Sequence, residues 1–192
     1  LSLSELRKTP DGYPSDWSRD GRHLILTVSS EKTKQDIWVS PLSEDQKASK
    51  CLASEFNEGE GKLSPNGHWM AYRSDETNRY EVYVQTFPQP RGKTRISTNG
   101  GGFPIWSRDG KELYFLSVVD GNQTLMAVPV EMTGEALRTG QAKTLFPVRL
   151  RVGGLTGYTY DVSRDGRFLI PQAQNEPVPF TVVINWQAGL KK

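Results

Sequence analysis

Trp17-Ser-Arg-Asp-Gly-Arg-His-Leu-Ile-Leu26 is one of four stretches written on a single plan. The others are Leu63-Ser-Pro-Asn-Gly-His-Trp-Met-Ala-Tyr72, Trp106-Ser-Arg-Asp-Gly-Lys-Glu-Leu-Tyr-Phe115 and Val162-Ser-Arg-Asp-Gly-Arg-Phe-Leu-Ile-Pro171. Each sets an apolar residue before Ser-x-Asp/Asn-Gly and an apolar run shortly after it. The chemistry is that of a reverse turn. Serine suits the first position of a type I turn and glycine the fourth. Pro65 takes the second position of its copy, where its fixed φ is already the required one. The Asp or Asn at the third position tolerates the bridge region and accepts from nearby backbone N–H groups. A calcium or catalytic role for Asp20, Asn66, Asp109 and Asp165 would explain one position of each copy, whereas a turn explains all four.

The marker glycines Gly21, Gly67, Gly110 and Gly166 lie 46, 43 and 56 residues apart. Blades of a β-propeller repeat at roughly 40–50 residues. About 14 residues after each marker comes a β-branched or aromatic run: Asp36 to Leu42, Glu81 to Phe87, Leu125 to Val130 and Thr181 to Trp186. These read as strands. Shorter polar strands are expected at 50–54, 93–97 and 142–147, and 131–141 is expected to be a loop. The runs after the turns, such as Leu24 to Leu26 and Leu113 to Leu116, are apolar on consecutive residues. A strand with one wet face would alternate, so these sheets should be covered on both faces.

The expected fold is all-β, a propeller-type array of four four-stranded antiparallel blades at about 13–54, 59–97, 102–147 and 157–186, with an N-terminal strand at 1–8. That strand would complete the last blade, and ring closure of this kind removes exposed sheet edges. The same strand count arises if the chain is a fragment of a larger propeller, which is the expectation adopted. Open blade ends would then offer a homodimer surface.

Composition excludes several classes. The 192 residues carry 24 Lys and Arg against 22 Asp and Glu, a net charge of +2, which gives no basic field for nucleic acid. Cys51 is the sole cysteine, so no intrachain disulfide or multi-cysteine metal site is available, and two histidines make no histidine-rich one. No apolar run approaches the ~20 residues of a membrane helix. No cofactor and no metal are expected.

The Ser-Arg-Asp-Gly and Ser-Pro-Asn-Gly copies resemble the repeats of TolB-type propellers across nearly the whole chain. Glu60 to Ser74, Tyr80 to Pro88, Ile96 to Trp106 and Val183 to Leu190 also look like the C-terminal propeller portion of bacterial membrane-spanning serine/threonine kinases. The chain carries no kinase motif, so no kinase residue transfers. The resemblance implies a sensor portion on the extracytoplasmic side.

Related propellers precede hydrolase domains in prolyl-oligopeptidase-like enzymes, but no Gly-x-Ser-x-Gly elbow occurs here. His23 and His68 read as packing or surface residues, Cys51 as a passive small residue, and the Asn122 sequon as a chance match. The residues ahead of the turns differ between copies, and they point to the channel and its rim. The candidates are Tyr13, Asp16, Glu58, Glu60, Lys62, Phe103, Arg149, Arg151, Tyr158, Tyr160 and Asp161. Glu58 and Glu60 form a candidate carboxylate pair. The expected function is a non-enzymatic recognition domain binding a protein or envelope-derived ligand at the channel mouth. The alternatives are a carbohydrate- or peptide-active hydrolase or lyase with channel carboxylates, and a structural oligomerisation ring.

Overall fold

A computed structural model describes residues 10–43, 46–134, 136–150 and 160–171. Every regular element among them is a β-strand, and no helix long and apolar enough to cross a membrane occurs. The first sheet runs β1 (Gly12–Trp17), β2 (His23–Ser30), β3 (Lys34–Pro41), β4 (Ser49–Leu52) in spatial order. The second repeats that order with β5 (Glu58–Leu63), β6 (Trp69–Ser74), β7 (Glu81–Thr86) and β8 (Thr94–Arg95). In the third, β9 (Gly102–Trp106), β10 (Glu112–Val119) and β11 (Asn122–Thr133) are joined by β12 (Ala136–Thr139) and β13 (Lys143–Val148). β14 (Asp161–Val162) and β15 (Phe168–Leu169) form the described part of a fourth sheet. All neighbours are antiparallel.

The turns form as the repeat demands. The hydroxyls of Ser18, Ser64 and Ser107 donate to the third-position oxygen of Asp20, Asn66 and Asp109 at 2.6, 2.7 and 2.7 Å. The same hydroxyls accept the N–H of His23, Trp69 and Glu112 at 2.8, 3.0 and 2.9 Å. Each marker glycine donates to its serine carbonyl, and all four sit at φ between +72° and +80°, where a Cβ would be strained. Ser163 closes its copy one residue earlier, on the Arg167 N–H at 2.9 Å.

The consecutive apolar runs are explained by what lies on either side. Successive side chains of a strand point to opposite faces. In β6, Met70 and Tyr72 join Ile25 and Ile37 of the first sheet in one core, while Trp69 and Ala71 join Leu113, Phe115 and Val128 of the third in another. In β10, Tyr114 and Leu116 face the fourth sheet and pack with Tyr160. Among the described residues the hydrophobic core is thus three inter-sheet layers rather than one interior. The layers are thin enough that a Cβ at Gly61 would crowd the first two, lying 3.0 Å from Ile25 Cγ2 and 3.2 Å from Met70 Sδ.

One expectation is corrected. Residues 131–141 are not a loop: β11 runs on to Thr133 and folds back as β12, pairing Val130 with Thr139 and Thr133 with Ala136. Thr133-Gly134 reads as a breaker, but Met132 and Leu137 pack on the core between the second and third sheets, and that contact holds the hairpin. The expected strands at 1–8 and 181–186 lie outside the described residues.

Candidate functional site

The inner strands β1, β5 and β9 lie in sequence, β1 against β5 and β5 against β9. Each carries a bulge at the same repeat position, where its pairing register slips. Glu60 and Phe103, both seven residues before their marker glycines, adopt left-handed φ of 59° and 54° there. The bulges are tied sideways. The Glu60 N–H donates to Thr27 Oγ1 at 3.1 Å, and Glu60 Oε2 accepts the Phe103 N–H at 2.7 Å. The Tyr160 hydroxyl donates to the Phe103 carbonyl at 2.9 Å. This polar belt links four sheets around their inner edge. Burial pushes the Glu60 carboxyl upward, opposed by the Arg73 guanidinium 3.1 Å away. Burial also holds the Tyr160 phenol well above its ordinary range, so it remains a donor.

Below the belt the strands run toward the turns, and there the site opens. Asp16, Lys62, Ile105 and Asp161 each stand two residues before a turn serine. All four line one cleft of about 740 Å³. Trp106 and Tyr160 contribute to its wall, and Trp17 and Leu169, 54% and 73% exposed, stand at its mouth. Arg19 also reaches it. A second anchoring bond shapes the floor, since the Trp106 indole N–H donates to the Lys62 carbonyl at 3.0 Å.

Asp16 accepts the Leu63 N–H at 2.7 Å. Burial raises its carboxyl above 3.8, and that hydrogen bond and the nearby Lys62 oppose the rise. Burial lowers the Lys62 ammonium below 10.5, while Asp16, Asp161 and Glu60 pull it back up. A partly desolvated cation among carboxylates beside aromatic walls suits a ligand that itself carries both charges and apolar groups.

The remaining candidates lie elsewhere. Tyr13 is half-buried in β1 opposite Thr27. Glu58 and Glu60 do not act as a pair. The bulge turns Glu60 to Arg73, while Glu58 is buried against Ser54, accepting its N–H at 3.0 Å and its hydroxyl at 2.5 Å. Phe103 packs against the inter-sheet core, its ring 5.8 Å from the Arg73 guanidinium. Arg149 is exposed just beyond β13. Arg151 and Tyr158 fall outside the described residues. His23 packs edge-on to Phe87 at 5.5 Å, and burial pushes the Cys51 thiol up to about 11, which disfavours the thiolate. Sequence reasoning missed Trp17, Arg19, Ile105 and Trp106. Ile105 was available from the repeat alignment, since it holds the position of Asp16, Lys62 and Asp161.

Superposition on solved structures decides the family of folds. The chain matches TolB from Acinetobacter baumannii with a TM-score of 0.57 at 19% identity, over 73% of this chain and 33% of that one. The fold is that of a TolB-type β-propeller. A TolB-type propeller stretch also recurs inside a larger enzyme: a puromycin-hydrolyzing peptidase of Mycobacterium tuberculosis matches with a TM-score of 0.59 at 17% identity, over 81% of this chain and 27% of that one. In sequence, the chain is 26% identical over 148 residues to Dipeptidyl-peptidase 5 of Porphyromonas endodontalis, covering 73% of this chain and 18% of that protein. The chain therefore spans less than a fifth of the curated relative it matches. No protein-family model matches it.

These comparisons correct the expectation of a non-enzymatic protein. That expectation rested on the missing nucleophile pentapeptide, yet the curated protein that the chain matches in sequence is a dipeptidyl-peptidase. A propeller blade supplies turns and packed strands, and the nucleophile elbow belongs to a strand–turn–helix setting that such blades do not contain. Lack of the motif within a propeller stretch is therefore silent on catalysis.

Proposed function

We propose that this TolB-type propeller stretch binds peptide chains at the turn-side mouth of its channel, as the recognition portion of a peptidase-type protein. The observation that carries the reading is the convergence of Asp16, Lys62, Ile105 and Asp161, equivalent in the repeat, on one cleft with Trp106 in its wall and Trp17 at its mouth. Asp16 and Asp161 offer acceptors for a peptide ammonium or amide N–H. Lys62 offers a donor to a peptide carbonyl. The exposed Trp17 and Leu169 supply apolar contact for side chains. The similarity to Dipeptidyl-peptidase 5 supports peptides as the ligand class. An extracytoplasmic setting accompanies this reading, as the TolB-type resemblance implies, with the chain read as one propeller unit.

The test is titration of short peptides, free or acetylated at the amino terminus, followed by tryptophan fluorescence and calorimetry. The expected result is binding that prefers the free amine and weakens about 10-fold in Asp16→Asn. Peptides that fail to bind, or oligosaccharides that bind in their place, overturn the reading.

A further inference from the structure

The second residue of each turn is Arg19, Arg108 and Arg164 in three copies and Pro65 in the other. In these turns the first and third side chains bond to each other and to backbone N–H groups, while Arg19, Arg108 and Arg164 at the second position are exposed. Arg19, Arg108 and Arg164 meet along a second cleft of about 860 Å³, beside the channel mouth and sharing Arg19 with it. Arg19 crosses from its own turn to donate from Nη1 to the Arg108 carbonyl at 2.9 Å. Lys111 adds a further cation to the lining.

Among the described residues, the cations of this cleft, Arg19, Arg108, Lys111 and Arg164, outnumber its acids, Asp109 and Glu112, and Asp109 acts on Lys111. Its two acids are engaged: Asp109 accepts the Ser107 hydroxyl at 2.7 Å and the Lys111 N–H at 3.1 Å, and Glu112 accepts the Tyr114 hydroxyl at 2.6 Å. Turn arginines elsewhere do find acids: Arg22 lies 3.8 Å from Asp20 and Arg167 2.8 Å from Asp165. Among the described residues no ion pair uses Arg19, Arg108 or Arg164. Burial and the neighbouring Arg108 lower the Arg19 guanidinium below its ordinary range, and Asp16 opposes them.

The geometry points to a carboxylate-binding subsite at the arginine-lined cleft, which selects peptides carrying an acidic group next to the segment held in the channel mouth. This deepens the peptide-binding reading and rests on it. A planar guanidinium matches a carboxylate with two parallel N–H donors, and several converging forks give the preference that one exposed pair would not.

Three peptides of one sequence test it: a C-terminal amide without acidic residues, the same peptide with a free C-terminal carboxylate, and the amide with one internal Glu. At least one carboxylate form is expected to bind about 5-fold tighter than the neutral amide at low salt, with the gain shrinking at high salt. Which form gains identifies the source of the carboxylate. In the Arg108→Gln/Arg164→Gln double variant, whose positions are exposed, the ratio is expected to fall to about one with the melting temperature unchanged. Equal binding of all three peptides overturns the subsite and leaves the peptide reading standing. A preference that persists in the double variant also overturns it. Binding of none of the three overturns both.

Discussion

The turns and the channel positions two residues before them lie side by side, yet they behave in opposite ways. The serine hub distances of three turns agree within 0.2 Å, from 2.8 to 3.0 Å. The adjoining channel positions are Asp16, Lys62, Ile105 and Asp161, which are two acids, a base and an apolar residue rather than one repeated type. The turns solve the same problem four times, which is to reverse the chain while satisfying its N–H groups. The channel positions have no backbone task in common, and their side chains meet one another and the cleft. Uniformity here reports folding, and variety reports whatever the cleft holds.

The largest effect expected of any single change lies in the layers that support both regions. Leu113→Ala removes a fully buried side chain between the second and third sheets and should cost about 2–5 kcal/mol in chemical denaturation. A loss below about 1 kcal/mol would break the account of inter-sheet cores. Next come the turns. Ser64→Ala leaves the buried Trp69 N–H without its acceptor and should cost about 1–3 kcal/mol. Ser107→Ala should cost a similar amount, and a large disparity between the copies would blunt the comparison.

Gly67→Ala forces a Cβ onto φ +72° and should cost about 1–2 kcal/mol, through strain alone because no atom crowds that site. The smallest effect on stability is expected at the channel. Asp16→Asn keeps an acceptor for the Leu63 N–H and should move stability by less than about 1 kcal/mol while weakening binding of amine-bearing peptides.

The same group sets a pH dependence. Burial raises the Asp16 carboxyl above 3.8, so the fold penalises its ionised form. Its contribution to stability is therefore greatest at low pH and declines as pH rises through the raised value. Binding runs the other way. Amine-peptide affinity should fall on acidification, beginning above the ordinary aspartate range, and Asp16→Asn should flatten that part of the profile. Calorimetry at a series of pH values measures both.

Much of the fold was legible because the turn chemistry is local. Ser-x-Asp-Gly contains its own donors, acceptors and φ requirement within four residues, and the consecutive apolar runs announce sheets covered on both faces. The β11–β12 hairpin was not legible, because Gly134 and the threonines around it argue for a loop until Met132 and Leu137 find the core. In the channel, the variety of the positions was visible but not their destinations. Glu58 and Glu60 are two apart and look paired, yet the bulge at Glu60 sends them to Ser54 and Arg73. Asp16, Lys62, Tyr160 and Asp161 were named from their repeat position, and the structure brings them onto one cleft.

What the chain settled locally is the bend, its fourfold recurrence and the strands it launches, since each depends on residues within hydrogen-bonding reach of one another along the backbone. What waited for three dimensions is everything measured across sheets: the belt from Thr27 to Tyr160, the meeting of Arg19 with Arg108, and the cleft itself. Those contacts join residues up to 89 apart in sequence. Their geometry follows from how tightly the sheets stack, and stacking is a property of the packed layers rather than of any one repeat.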